Sequence, residues 1–502
     1  MGEQNPRFLC SWRGVSQEEK TMRYHSTRNH TQFVDSAQAV LEGLAPDGGL
    51  YMPESIPAFD WEACLTLDAQ GMSAMILETL LPDIPNMREL VRRAYTGKFE
   101  TEDLTPTVSV GDFTVLELFR GPTSAFKDVA LCMLPQLLTA AKAEKGMKED
   151  IMILTATSGD TGKAALAGFQ DVPGVRITVF YPHGGVSQVQ RAQMVTQEGS
   201  NVAVCAVEGN FDDAQTGVKN IFADCQGKEL PFALSSANSI NIGRLAPQIM
   251  YYFKAYRDLM DAGKIQKGDE VNFCVPTGNF GDILAGYLAK LLGLPVGKLI
   301  CASNANKVLD DFLKTGAYDR KRPLVKTTSP SMDILVSSNL ERLLYLMSGD
   351  TELVSKLMEE LKTKGSYQVP ADLLEKIQAQ FWGFHCGDVR TQSNIKRCWQ
   401  EQGYLLDPHT ATAWAAARSY VHSTGDHRPM VILSTASPYK FPVAVLEAIG
   451  GDCSGDEYAQ MGELNRLTGV AIPKNLADLQ GKPELHTGVI PKDKMQEFVL
   501  SL

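Results

Sequence analysis

A chain of 502 residues, 44% hydrophobic and 21% charged, has the balance of an ordinary globular protein and room for about three domains of ~150 residues each. Its 59 acidic side chains outnumber 48 basic ones, and a net charge of -11 argues against a nucleic-acid or anionic-membrane surface. That sign still leaves room for a small basic pocket holding a phosphorylated ligand.

In chain order, residues 1–21 carry Glu3, Glu18 and Glu19 and no apolar signal core, which argues against a leader peptide. They read as a disordered extension, with Met22 as an alternative start. Residues 22–105 mix helix patterns with turns such as Pro46-Asp-Gly-Gly49 and form an N-terminal subdomain. Next comes Gly121-Pro-Thr-Ser-Ala-Phe-Lys-Asp128, a lysine in a small-residue turn that opens an apolar helix pattern. From there a unit recurs: a short apolar strand, a glycine turn, an amphipathic helix. One copy is the strand 151–157, the turn Ser158-Gly-Asp-Thr-Gly162 and the helix 163–169. Another is the strand 271–275, the turn Pro276-Thr-Gly-Asn-Phe-Gly-Asp282 and the helix 283–289. Further strands are expected at 177–181, 202–207, 299–302 and 430–434. Buried strands alternating with helices predict an α/β protein with two open, mainly parallel sheets, one over 106–265 and one over 266–502. In such sheets ligands sit at the carboxyl ends of strands, against helix N-termini.

The ten cysteines are irregularly spaced, with no C-x-x-C and no Cys/His cluster of metal-ligand spacing. They read as free buried thiols in a reducing compartment, with no metal site. No apolar run approaches the ~20 residues needed to span a bilayer. Together these features predict a cytoplasmic protein.

Three turns could hold a ligand. Thr277-Gly-Asn-Phe-Gly281 has the composition of a phosphate cradle, since two glycines let N–H groups converge at a helix start. Alone it equally describes a plain strand-to-helix turn. Ser158-Gly-Asp-Thr-Gly162 offers backbone donors and two hydroxyls to a carboxylate or phosphate. It is not a P-loop: Thr157 stands where that motif needs glycine, and Ala164 where it needs a hydroxyl. Asn238-Ser-Ile-Asn-Ile-Gly-Arg244 sets amides, a hydroxyl and an arginine before a helix running to about Met260. It could also be a capped helix with a surface arginine. His409, in Asp407-Pro-His-Thr410, reads as a packing residue, as lone histidines usually are. A lysine in a turn is ordinarily a surface charge, but Lys127 has these turns around it, and a lysine amine can form a Schiff base with an aldehyde cofactor.

Taken together and in this order, Gly121–Asp128, Thr157-Ser-Gly-Asp-Thr-Gly162, Asn238-Ser-Ile-Asn241, Pro276-Thr-Gly-Asn-Phe-Gly-Asp-Ile-Leu-Ala-Gly286 and Asp407-Pro-His-Thr-Ala411 resemble the threonine synthase signatures. Tyr24-His-Ser-Thr-Arg28 and Leu44-Ala-Pro-Asp-Gly-Gly-Leu50 resemble that family's N-terminal signatures. The resemblance implies a fold-type-II enzyme, like the tryptophan synthase β chain, that uses pyridoxal 5'-phosphate. It implies conversion of O-phospho-L-homoserine and water to L-threonine and phosphate.

Carried over by motif, Lys127 is the Schiff-base lysine. Gly278, Asn279, Phe280, Gly281 and Asp282 hold the cofactor, and Thr435 faces its ring nitrogen. Ser158, Gly159, Asp160 and Thr161 grip the substrate carboxylate, while Asn238, Ser239, Asn241 and Arg244 lie near its phosphate. The late segment departs from the family, with Ser437 and Tyr439 in place of the usual histidine and alanine. For the freed Lys127 amine to act as a base, its pKa must fall from about 10.4 toward neutrality, and burial would do that. A small domain that closes over the cleft is expected as well.

Two other readings keep the same motifs. One is a threonine synthase-like phospho-lyase giving 2-oxobutyrate, ammonia and phosphate; the other is a pyridoxal-phosphate-binding regulatory protein without turnover. The residues do not choose between monomer and homodimer, and no separate regulatory domain stands out.

Overall fold

The computed structural model describes residues 22–157, 159–225 and 227–502, so the expected extension at 1–21 lies outside the described residues. The N-terminal part begins with a three-stranded antiparallel sheet of β1 (Tyr24–Ser26), β2 (Asn29–Val34) and β3 (Tyr51–Pro53), ordered β2-β1-β3. Helices Ser36–Glu42 and Ala69–Leu80 start where the sequence offers an aspartate cap: Asp35 accepts from the Gln38 N–H, and Asp68 from that of Gly71. Arg28 ties this sheet to the body through a paired contact with Glu341, both N···O distances being 2.8 Å.

Two sheets form the body. The larger contains β4 (Thr107–Val110), β5 (Phe113–Glu117), β10 (Val271–Pro276), β11 (Val296–Ser303), β14 (Phe381–His385) and β15 (Met430–Ser434), in the order β14-β11-β10-β15-β5-β4. All neighbours are parallel except β4, which folds back on β5. The smaller sheet is wholly parallel: β6 (Asp150–Ala156), β7 (Val175–Pro182), β8 (Val202–Glu208), β9 (Phe232–Ser235) and β16 (Val489–Pro491), in the order β16-β8-β7-β6-β9. A short ribbon of β12 (Ala317–Asp319) and β13 (Ser366–Gln368) stands apart. β10 and β15 are buried along their whole length, as continuous apolar runs in a doubly covered parallel sheet must be.

The expectation of two open, mainly parallel sheets with an N-terminal subdomain describes this architecture. The boundaries drawn at 106–265 and 266–502 do not. β5, with β4 folded back on it, precedes position 150 yet pairs with β15 of the larger sheet, while β16, late in the chain, seals the edge of the smaller one. A linear cut cannot express a sheet whose strands come from both ends of the chain.

Helices Lys127–Glu144 and Asp160–Phe169 pack closely, and each begins at a residue of the cleft. Gly168 permits the approach: a Cβ there would lie 1.9 Å from the Leu131 carbonyl oxygen. The nine described cysteines are all unpaired, eight of them buried. Among the described residues no helix is long and apolar enough to cross a membrane, and no cluster of three or more His, Cys, Asp or Glu side chains is disposed to hold a metal.

Gly168→Ala should force the two helices apart and lower stability by about 1–3 kcal/mol, the usual range for overpacking. Denaturant unfolding measures this, and an unchanged midpoint would mean that the close approach is not a constraint.

Candidate functional site

The lysine turn is built to hold one shape. Gly121 leaves space for Asp128, whose side chain a Cβ would meet at 2.6 Å. Ser124 adopts a left-handed φ of 58°. The buried Asp128 carboxylate accepts the Thr123 N–H at 2.9 Å and the Thr123 hydroxyl at 2.5 Å. The turn is also stitched to the segment after β15. Phe126 N–H donates to the Thr435 carbonyl at 2.9 Å, and Ser437 N–H to the Ser124 carbonyl at 3.1 Å. From the far end of the chain, the Asn475 amide donates to Pro122 O at 2.8 Å and accepts the Ser124 hydroxyl at 3.0 Å.

Lys127, the first residue of its helix, is partly buried, with Nζ 3.5 Å from Ser331 Oγ. Burial draws its amine down to about 8. Asp160 opposes that fall, and Arg244 and Lys440 add to it.

The second turn is organised from below by Thr157, whose Oγ1 accepts the N–H groups of Gly159 at 3.0 Å and Gly162 at 2.9 Å. Gly159 has φ 145°, and a Cβ there would meet the Gln190 amide at 2.5 Å. Ser158, expected among the carboxylate donors, lies outside the described residues. Asp160 heads the helix Asp160–Phe169 and is buried. Its carboxylate accepts from Lys440 Nζ at 2.6 Å, Gln190 Nε2 at 3.2 Å and Ser331 Oγ at 3.3 Å. Burial opposes its charge, but Lys440 and Lys127 overcome that and hold the carboxyl well below the usual range. With the Gly159 and Gly162 N–H groups taken by Thr157, what the turn can offer a ligand is the N–H groups of Asp160 and Thr161 and the half-buried Thr161 hydroxyl, not the Asp160 side chain. Lys163 turns aside to Gln197 Oε1 at 2.5 Å, a further departure from a phosphate-gripping P-loop lysine.

The third turn carries Gly278, Asn279 and Phe280 into the helix Gly281–Leu291, which starts with no side-chain cap. Phe280 is left-handed at φ 65°, a geometry that turns successive N–H groups toward one point. Gly278 is required: a Cβ would lie 2.6 Å from the Ser331 carbonyl. The Asn279 carbonyl accepts both N–H and Nδ2 of Asn339, at 3.0 and 3.1 Å, which fixes the turn. Asp282 points elsewhere. Its Oδ1 accepts the hydroxyls of Tyr251 at 2.5 Å and Tyr252 at 3.1 Å, and burial lifts its carboxyl to about 7 against those two bonds. Its backbone N–H is one of the uncapped helix-start donors, while its side chain anchors the turn to the helix Met250–Asp261.

Of the arginine segment, Ser239 stands beside the cradle, its Cβ 3.8 Å from where a Gly281 Cβ would lie. Arg244 is buried, donates to the Ala237 carbonyl at 2.5 Å and leaves Nε without a partner. Burial lowers its pKa to about 10. Asn241 is spent on structure: it caps the helix Ile242–Leu245 through the Gly243 N–H at 2.8 Å and donates to the Val40 carbonyl at 2.9 Å. Asn238 is exposed. Thr435 is buried at the end of β15 beside the lysine turn. The departures at 437 and 439 point away from the cleft: Ser437 caps a 3-10 turn, and the Tyr439 hydroxyl reaches the Val470 carbonyl.

Two groups in the cleft escaped the sequence reading. Ser331 lies between Lys127 and Asp160, and Lys440 holds Asp160. His409 positions the first of them. Its Nε2 accepts the Ser331 N–H at 3.2 Å, and its Nδ1 pairs with Asp407 at 2.8 Å, the pattern of a packing histidine. A cavity of about 690 Å³, bordered by Arg28, Tyr318, Ser337 and Ser338, backs onto the third turn, where the Ser337 hydroxyl donates to the Gly278 carbonyl at 2.8 Å.

These residues fit pyridoxal phosphate. An amine with a pKa near 8 can bond to an aldehyde near neutral pH, and the uncapped helix start with a glycine and a left-handed residue suits a phosphate.

Comparison with known proteins agrees. A family model described as pyridoxal-phosphate dependent enzyme matches residues 99–435, flanked by models for the threonine synthase N terminus at 23–95 and C-terminal region at 410–499. Threonine synthase of Pseudomonas aeruginosa is 40% identical, over 95% of this chain and 98% of its own. Human threonine synthase-like 1 is 38% identical over 92% of this chain, which spans only 63% of that longer protein. The crystal structure of pyridoxal-phosphate-bound threonine synthase from Brucella melitensis superposes with a TM-score of 0.84 at 38% identity, covering 96% of this chain and 99% of that one. The chain belongs to the threonine synthase family of fold-type-II, pyridoxal-phosphate-dependent enzymes.

Proposed function

We propose that this protein is a threonine synthase, converting O-phospho-L-homoserine and water to L-threonine and phosphate. The observation that carries the reading is that a lysine amine held near pKa 8 and a buried arginine with an unpartnered Nε share one cleft with two turns suited to anions. Pyridoxal phosphate, when bound, supplies the electron sink that makes the hydrogens on the substrate's α- and β-carbons acidic.

The remaining steps are the protein's. N–H groups of the 278–282 turn would hold the cofactor phosphate, Lys127 would anchor the cofactor, and Thr435 would serve its ring nitrogen. The donors at Asp160 and Thr161, with Ser158 and with Gly159 shaping the turn, take the substrate carboxylate. Ser239 and Arg244 take its phosphate, and they speed departure only to the extent that they bind the leaving dianion more tightly than the ester. The Lys127 amine would move protons at the substrate's α- and β-carbons, a task suited to an amine whose pKa lies near the working pH. Water must reach the β-carbon only after phosphate has left, so we expect the smaller sheet to close on the larger during turnover. A small-molecule substrate, no nucleic-acid partner and a cytoplasmic location complete the reading. The unpaired state of the nine described cysteines supports a reducing compartment.

Incubating the cofactor-loaded protein with O-phospho-L-homoserine should yield L-threonine and phosphate in equal amounts. Phosphate with 2-oxobutyrate and ammonia, and no threonine, would instead establish the phospho-lyase. No product would overturn both and favour a binding protein.

Lys127→Ala should lose the absorbance of lysine-bound cofactor and at least about 10²- to 10⁴-fold in turnover, the usual worth of a general base, while its circular dichroism stays unchanged. Near-normal turnover would remove Lys127 from the chemistry. Arg244→Ala should raise KM for the phosphorylated substrate by about 10- to 100-fold, the loss of a charged hydrogen bond. Unchanged kinetics would remove Arg244 from the site.

A further inference from the structure

Lys440 is a buried charge outside the motifs that define the site. It ends the 3-10 turn Pro438–Lys440 after β15, its side chain 0% exposed. Nζ donates to Asp160 Oδ1 at 2.6 Å and to the Thr123 carbonyl at 3.1 Å. One amine thus joins three segments: the turn after β15, the turn after β6 that carries Asp160, and the lysine turn that carries Thr123.

A lysine this deep is stable only because it is paired, and the same holds for Asp160. The pairing also solves a chemical problem in the second turn. The free donors at 160 and 161 suit a carboxylate, yet Asp160 carries a carboxylate of its own beside them. Left free, that side chain would compete for the turn's N–H groups and repel an incoming anion. We propose that Lys440 is a positioning residue, drawing the Asp160 carboxylate away from the donors at 160 and 161 so that they face an anionic amino-acid substrate. This rests on the threonine synthase reading only for the identity of that substrate.

A second consequence follows from the charges around Lys127. The groups facing it are Asp160, Asp128, Arg244 and Lys440, and those facing Lys440 are Asp160, Asp128 and Lys163; His409 also faces Asp160. Within this set Asp160 favours the charged Lys127 amine most strongly, and Lys440 offsets part of that pull. Removing Lys440 leaves an uncompensated anion that holds the proton on the Lys127 nitrogen. Removing the Asp160 charge leaves an uncompensated cation that expels it. The two single variants must therefore shift the titration in opposite directions, which loss of packing alone would not do.

The test uses cofactor-loaded protein. Its first readout needs no turnover: the pH at which the bound cofactor's absorbance changes, which follows the proton on the Lys127 nitrogen. Lys440→Met should move that midpoint up by about one pH unit and Asp160→Asn should move it down, while Lys440→Met/Asp160→Asn should fall between the two single variants. Lys440→Arg, which keeps the charge, should stay near the parent. The second readout is binding of L-2-aminobutyrate, an unphosphorylated amino acid, by spectral titration. Lys440→Met should weaken it about tenfold, and the double variant should recover most of that loss.

Shifts in the same direction for Lys440→Met and Asp160→Asn, or no shift in either, would overturn the proposal. If Lys440→Met fails to fold, Asp160→Asn and the double variant still decide: a downward shift in Asp160→Asn that the double variant lessens supports it, and its absence refutes it. Failure of the parent to form threonine, with these shifts intact, would count against the proposed reaction and leave the role of Lys440 standing.

Discussion

Lys127 has to surrender its proton near neutral pH while standing beside the carboxylate of Asp160, which favours keeping it. Burial supplies the larger pull, and it acts because the lysine sits where two sheets meet rather than on an open face. Arg244 and Lys440 then add positive charge from two further segments. The geometry of the cleft is largely the geometry of that compromise. The amine is dry enough to be a base and is ringed by cations that also suit an anionic substrate. One aspartate, held by a lysine of its own, offsets those cations.

The arrangement needs segments from both sheets to meet. The larger sheet contributes the end of β15, onto which the lysine turn is bonded almost as an additional strand edge. The smaller sheet contributes the helix that starts at Asp160, and the contact of Gly168 with the Leu131 backbone sets its distance from the lysine helix. Ser331 closes the ring on the third side. The long segment bearing it is pinned by Asp333, which accepts from Asn304 at 2.8 Å and Asn306 at 2.9 Å. Each contact is modest by itself; together they place three helix N-termini and two lysines around one volume.

Much of this was legible in the sequence because it is local. β10 and β15 are unbroken apolar runs, and the two glycine turns advertise strand-to-helix junctions through residue type alone. β14 was not legible: Gly383 interrupts Phe-Trp-Gly-Phe-His, and its missing Cβ makes room for Asp310, a requirement set by a distant helix. β16 is three residues long and ends in proline, which only an edge strand tolerates. Within the site, Lys127 and the 278–281 turn stood out, whereas Lys440 and Ser331 could not, since their partners lie 280 and 171 residues away along the chain. Asn241 and Asp282 show the converse. Amides and carboxylates suited to a ligand are equally suited to capping a helix or anchoring a tyrosine pair, and here the scaffold uses them.

The late strand β16 bears on how the protein is made. A ribosome releases β6 to β9 long before Val489, so during synthesis β8 is a bare sheet edge, the kind of surface that invites wrong partners. Asn475, which clamps the lysine turn, also arrives late. The cofactor pocket therefore matures only when the tail of the chain has folded back, and nascent chains should depend on whatever shields exposed strand edges until then.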